Sequence, residues 1–202
     1  MGKRRHLACL LVVCVTLILI MVEDALPASS FDGFIYKEFV LYLAIPLVAA
    51  YALRRSVRPF GFALGDRKKV ARYAVMLYGI GIPFMIVGSR MSAFRAYYPR
   101  FSFGSWEELV YWELMIGVLM LSTEFFFRGF LMFGCKRVGR WAILLQAVPY
   151  AYIHLGKPML EVYYSFFAGL AFGYIDWESK SILPSFLVHW CASVTFDILC
   201  MV

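Results

Sequence analysis

Among the ionisable side chains that lie inside long apolar runs of the sequence, where a charge is costly, three could do chemistry together. They are Glu124, His154 and His189. An ionisable group at the bilayer centre costs about 2.5 to 3.5 kcal/mol on insertion scales and is therefore a functional candidate by default. A carboxylate with two imidazoles can activate water for hydrolysis, or it can bind zinc and leave one coordination position open.

The spacing along each run predicts that these side chains reach similar depths. At a helical rise of about 1.5 Å per residue, His154 lies roughly 20 Å from Trp141, and His189 lies roughly 12 Å from Ser181. Glu124 lies near the middle of a run about 39 Å long. We therefore expect the three side chains to converge near the bilayer centre.

The composition indicates an integral membrane protein. The 202 residues are 62% hydrophobic and 16% charged, with a mean hydropathy of +0.74, which excludes an ordinary soluble domain. Because a span needs about 20 apolar residues, the sequence predicts an all-α bundle of about seven transmembrane helices around a buried polar catalytic cavity. The apolar stretches are 7–22, 34–53, 73–89, 109–134, 141–155, 160–175 and 181–202.

The basic residues predict the topology. The chain has 20 Lys and Arg against 13 Asp and Glu, a formal charge of +7, which in a soluble protein would suggest a nucleic-acid partner. With the N-terminus inside, 15 of the 20 basic residues are cytoplasmic, as the positive-inside rule expects. The expected partners are the lipid bilayer and a membrane-associated peptide or protein substrate, with no nucleic acid.

The sequence suggests three regions. Residues 1–33 form either a signal anchor or a cleavable signal segment, because basic residues precede the first apolar run and EDALPASS follows it. Residues 34–108 are expected to be accessory transmembrane helices, and residues 109–202 the catalytic core. Five cysteines with no CxxC pair predict neither a disulfide framework nor a thiolate zinc site.

Two local patterns have simple structural interpretations. Glu124 and Arg128 are four residues apart with the acid first, the favourable order for an ion pair, so they could merely neutralise each other. Gly169 and Gly173 have the spacing that lets membrane helices approach closely, and we interpret them as packing residues.

Three strings, in order, resemble the motifs of the CPBP family of intramembrane endopeptidases, which contains the CAAX prenyl endopeptidases and bacteriocin-processing or immunity proteins. STEFFFRGFL resembles the EExxxR motif and VPYAYIHL the FxxxH motif. SFFAGLAFGYIDWESKSILPSFLVHWCAS resembles the closing segment with HxxxN. The resemblance covers about 109–202 and implies a metal-free, glutamate-dependent peptidase, a multi-pass protein in the cytoplasmic membrane of a prokaryote.

The resemblance also implies roles for individual residues. Glu124 would be the base, and His154 would hold the water and move its proton. His189 would face the oxyanion together with Ser193, one turn further along the same helix. If the site instead bound zinc, the ligands would be Glu124, His154 and His189, and a chelator would abolish activity.

Other residues of the three motifs would support these catalytic residues, and some of them differ from the family's motifs. Arg128 would pair with the carboxylate, and Tyr150, in place of the motif's Phe, would orient His154. The first glutamate of the paired motif is Thr123, and Ser193 replaces Asn. These changes leave open a catalytically inactive relative acting as a bacteriocin-immunity or scaffold protein. A small transporter is disfavoured because no inverted repeat is evident.

The distribution of basic residues makes the topology testable. Single cysteines introduced at Lys68 and Arg137 should resist a membrane-impermeant thiol reagent added from outside, because both positions are expected in the cytoplasm. A cysteine at Arg95 should react. The reverse labelling pattern would invert the topology.

Overall fold

The computed structural model describes residues 2–202, with side chains from residue 7 onward. These residues form helices, turns and loops, and no strand occurs among them. Seven main helices follow the predicted apolar stretches: α1 Gly2–Ala25, α2 Phe31–Arg54, α3 Arg67–Gly88, α4 Trp106–Phe133, α5 Trp141–Tyr152, α6 Met159–Ser179 and α7 Leu183–Met201. Short helical turns lie at Arg58–Phe60, Ser92–Arg95 and Lys136–Val138. The all-α membrane fold is confirmed.

Five of these helices, α1 to α4 and α7, are long and apolar enough to cross a membrane. The predicted span 141–155 is shorter than expected, because α5 ends at Tyr152 after 12 residues. Such a helix extends about 18 Å, less than the hydrocarbon core. Helix α6 has 21 residues, but its tyrosines and acidic residues make it less apolar.

Polar residues in the connections determine where two of the long helices begin. The Asp66 side chain accepts hydrogen bonds from the backbone amides of Lys68 and Lys69 and so caps α3. The Ser105 hydroxyl accepts from the amide of Glu108 and caps α4. The polar turn after α6 also holds α3 in place, since the amide of Asp66 donates to the carbonyl of Ser179 at 2.9 Å.

Helix α4 is the centre of the bundle. Within its most apolar 18-residue window, 72% of the residues are buried, compared with 6% for α3 at the periphery. Its last nine residues, Phe125–Phe133, are a π-helix and all are buried. Tyr42 of α2 stacks on Phe126 with ring centroids 4.1 Å apart. Aromatic packing therefore fixes the half of α4 that carries Arg128.

Helix α1 packs against the end of α4. Val12 is almost fully buried, and a Cβ on Gly134 would lie 3.1 Å from its side chain. Cys9 of α1 forms a disulfide with Cys135, two residues past the end of α4, so the prediction that the cysteines are not disulfide-bonded was wrong for this pair. The sequence concealed this pair because its members lie 126 residues apart and become neighbours only when α1 packs on α4.

The glycine pair of α6 is a packing site, as predicted. A Cβ on Gly169 would lie 3.2 Å from the backbone of Ala147, and one on Gly173 would lie 2.8 Å from the Gln146 amide nitrogen. Gln146 donates from that nitrogen to the carbonyl of Gly169 at 2.7 Å. Close backbone approach and a buried hydrogen bond therefore hold α5 against α6.

Replacement of Gly169 by leucine should separate α5 from α6, because backbone and side-chain atoms already occupy the space. We expect a loss of about 1 to 3 kcal/mol, measured as a lower thermal unfolding temperature in detergent. Gly79→Leu is the matched control, since a Cβ at Gly79 meets no atom within 4 Å. Equal destabilisation by both substitutions would contradict the packing role.

Candidate active site

The centre of the site is a hydrogen bond between α4 and α7. The Nδ1–H of His189 donates to Oε1 of Glu124 at 2.6 Å. The Glu124 side chain is fully buried, whereas 18% of the His189 side chain is exposed. An imidazole that donates through Nδ1 keeps a lone pair on Nε2 when neutral, so His189 can accept a proton at its other nitrogen.

Arg128 lies on the other side of the carboxylate. Its Nη1 donates to Glu124 Oε1 at 3.4 Å, and its Nε lies 3.3 Å from Oε2. The guanidinium is fully buried and stacks over the ring of Tyr150, 3.9 Å from the centroid. Arg128 is therefore the positive charge that compensates the buried carboxylate, and the expected ion pair is present.

His154 belongs to the same region but lies just past α5, in the turn that follows Tyr152. Its Nδ1–H donates to the carbonyl of Tyr150 at 2.8 Å, and the two rings are 4.6 Å apart. The Tyr150 ring also lies 6.3 Å from the ring of His189. Tyr150 thus contacts both histidines, while Glu124 bonds only His189 of the two.

The hydroxyls of the two motif departures have partners other than the carboxylate. The Thr123 hydroxyl donates to the carbonyl of Leu119 at 3.0 Å within its own helix. The Ser193 hydroxyl lies 3.7 Å from the sulfur of Met120. Since sulfur is a weak acceptor, Ser193 is held loosely in this position.

The candidate zinc ligands do not form a metal-binding group. Among the described residues, no three His, Cys, Asp or Glu side chains come together in an arrangement that could hold a metal ion. In Glu124 and His189, the atoms that face each other are already hydrogen-bonded to one another. In this arrangement the residues do not form a metal-binding group, and both the metal-free reaction and the zinc alternative stay predictions.

A second buried carboxylate lies near the site and was not predicted. Asp176 of α6 is fully buried and accepts hydrogen bonds from the Ser185 hydroxyl at 2.6 Å and the Ser185 amide at 3.1 Å. Ser185 is one turn before His189 on α7, so Asp176 holds the start of the helix that carries His189. The sequence indicated only a polar turn here, because the partner comes from the next helix.

Side chains from neighbouring segments hold the turn that contains His154 in place. Glu161 accepts hydrogen bonds from the Tyr98 hydroxyl at 2.8 Å and from Lys157 at 2.9 Å. Burial, reinforced by the charge of Glu161, holds the pKa of Tyr98 well above its ordinary value, so the hydroxyl remains a donor. Lys157 closes the turn, since its amide donates to the carbonyl of His154.

Two cavities open at opposite ends of the bundle. One of about 400 Å³ lies beside Arg90 and Arg95, and one of about 330 Å³ lies beside Arg58 and Lys180. Neither is lined by Glu124 or either histidine of the site.

Comparison with known proteins agrees with the motif resemblance. Residues 104–195 match a family described as Type II CAAX prenyl endopeptidase Rce1-like. This range contains all the candidate site residues. The match supports a relationship to the CAAX proteases of the CPBP family. No curated protein and no solved structure matches the chain.

Loss of the compensating charge should be far more damaging than loss of the neighbouring hydroxyl. Arg128→Ala leaves a fully buried carboxylate without its cation and should destabilise the bundle by about 3 to 5 kcal/mol. Thr123→Ala removes one hydrogen bond within a helix and should cost no more than about 1.5 kcal/mol. Thermal unfolding of both variants in detergent measures the difference, and comparable losses would contradict the assignment.

Proposed function

Residues 104–195 match the Rce1-like family of CAAX prenyl endopeptidases, and from this premise we propose that the chain is an intramembrane endopeptidase that uses activated water. The observation that carries the proposal is the buried pair of Glu124 and His189, joined at 2.6 Å across two helices. An ion pair that only held the bundle together would need Glu124 and Arg128. It would not need an imidazole with a free nitrogen.

The proposed division of labour follows from exposure. Glu124 is fully buried, and His189 is the more accessible member of the pair. His189 therefore takes the proton of the attacking water at Nε2, and Glu124 stabilises the imidazolium that forms. This is the relation between carboxylate and imidazole in hydrolytic triads. The geometry favours this role over the sequence-based assignment of Glu124 as the direct base.

The remaining steps need a proton donor and an oxyanion donor. The water oxygen bonds to the peptide carbonyl carbon, and the C–N bond then breaks as the amine gains the proton that His189 took from the water. His154, joined to the pair through the Tyr150 ring, is the second imidazole available for proton transfer. Ser193, one turn after His189 on α7, carries a hydroxyl that can turn from the Met120 sulfur towards the developing oxyanion.

One observation supports the alternative of an inactive relative acting in immunity or as a scaffold. The family motif has two adjacent glutamates, and here the first is Thr123, whose hydroxyl is bonded to its own helix. In that case the polar centre would serve only to hold α4 and α7 together. The two proposals differ in whether removing the Glu124 charge changes a chemical product.

Glu124→Gln should abolish cleavage, because the amide keeps the shape of the side chain but cannot stabilise an imidazolium. The substitution also leaves the buried Arg128 without its anion, so thermal unfolding in detergent must show that the variant is folded before cleavage is assayed. We expect a fall of at least about a hundredfold. The assay is hydrolysis of a prenylated CAAX-type peptide by the protein in nanodiscs, together with comparison of peptide termini in membranes with and without the protein. The second measurement does not depend on the choice of peptide.

Glu113→Gln is the matched control. Glu113 is a buried glutamate on the same helix, and within the described residues its carboxylate has no hydrogen-bond partner. This variant should cleave at the wild-type rate. Wild-type cleavage by Glu124→Gln would overturn the catalytic assignment. No cleaved product from the wild-type protein in either measurement would favour the inactive relative.

A further inference from the structure

The cavity of about 330 Å³ at the basic end of the bundle is lined by three cations. Arg58 comes from the connection between α2 and α3, Lys136 from the turn after α4, and Lys180 from the turn between α6 and α7. The fold thus brings together charges that are distant in the sequence. We call this the basic cavity.

None of the three cations has an acidic partner among the described residues. Every ion pair of those residues involves other cations. Glu178, an acid at this end of α6, is already paired with Arg140 at 2.9 Å and lies 3.7 Å from Lys69. Like charges gathered without a counter-ion repel one another, and an anion in the cavity relieves that repulsion.

The walls of the basic cavity are built from well-packed residues. Phe133 at the end of α4 stacks on Trp177 of α6, with ring centroids 6.3 Å apart and planes 6° from parallel. Gly61 adopts a left-handed conformation with φ +77°, and a Cβ there would lie 2.5 Å from the Phe133 ring. The amide of Ile182 donates to the carbonyl of Gly61 at 3.1 Å, so the same glycine joins this wall to the start of α7.

The position of the cavity in the bundle indicates the source of the anion. The apolar helix α4 ends at Phe133, which lines the cavity, and α5 begins at Trp141, which is 74% exposed. Exposed tryptophan is typical of the membrane–water interface. A basic pocket between helices at this depth faces lipid headgroups.

We propose that the basic cavity binds the phosphate of an anionic phospholipid headgroup. Arg58, Lys136 and Lys180 contact the phosphate oxygens, and the Phe133–Trp177 wall packs against the glycerol and upper acyl region. Because Phe133 ends the helix that carries Glu124 and Gly61 bonds the residue that precedes α7, bound lipid braces the two helices of the site.

The test uses the full chain in nanodiscs that contain equal amounts of phosphatidylglycerol and phosphatidylcholine. After the protein is released from the nanodiscs, native mass spectrometry counts the lipid molecules that remain bound to it. The wild-type protein should retain phosphatidylglycerol in preference to phosphatidylcholine. In the triple variant R58Q/K136Q/K180Q, the ratio of bound phosphatidylglycerol to phosphatidylcholine should fall at least about tenfold. Each interfacial cation contributes roughly a factor of five to the affinity for an anionic lipid.

The matched control is R54Q/R67Q/K68Q, which removes the same charge from exposed residues at the same end of the bundle, outside the cavity. It should retain the wild-type preference, and gel filtration with thermal unfolding establishes that both variants are folded. Equal loss in the two triple variants would overturn the proposal, because it would reflect net charge alone. Displacement of the lipid by millimolar inorganic phosphate would assign the site to free phosphate and would also overturn it.

Discussion

The buried charge of Glu124 constrains the arrangement of the surrounding helices. A carboxylate with no solvent exposure is tolerated only where charge and hydrogen bonds compensate it. Arg128 supplies the charge from the same helix and His189 the shortest hydrogen bond from another. One partner lies on α4 and the other on α7. Neutralising and hydrogen-bonding the carboxylate therefore fixes how these helices face each other.

The aromatic packing of α4 follows from the same requirement. Arg128 lies within the π-helical segment, and its guanidinium is covered by the ring of Tyr150. A π-helix changes the direction of successive side chains and is often found at functional sites. The neighbouring phenylalanines of α4 are fully buried, and the Phe172 ring lies 5.2 Å from the guanidinium of Arg128. These rings exclude water, which strengthens the electrostatic interaction with Glu124. The run of phenylalanines is therefore part of the site's electrostatics as well as the core.

The fold and the central pair could be predicted from the sequence because both depend on rare residues in an apolar background. Glu124, Arg128 and His189 stand out in long apolar runs, and the i, i+4 spacing predicts the ion pair. The sequence did not reveal the disulfide of Cys9 and Cys135, because neither residue has a local partner. Nor did it reveal that His154 lies in a turn. Apolarity continues to Leu155, while the helix ends at Tyr152, so hydropathy alone placed the helix end three residues too late.

The short length of α5 has a consequence for the surrounding bilayer. A helix that extends about 18 Å from an interfacial tryptophan reverses direction before it crosses a hydrocarbon core of about 30 Å. Irregular backbone at that depth is tolerated only where protein covers it or water reaches it. Lipid next to the turn at His154 must therefore thin, or admit water beside Leu155, which is 61% exposed. The mismatch between one helix and the membrane thus brings the aqueous phase closer to the turn that carries His154, whose own side chain is almost fully buried.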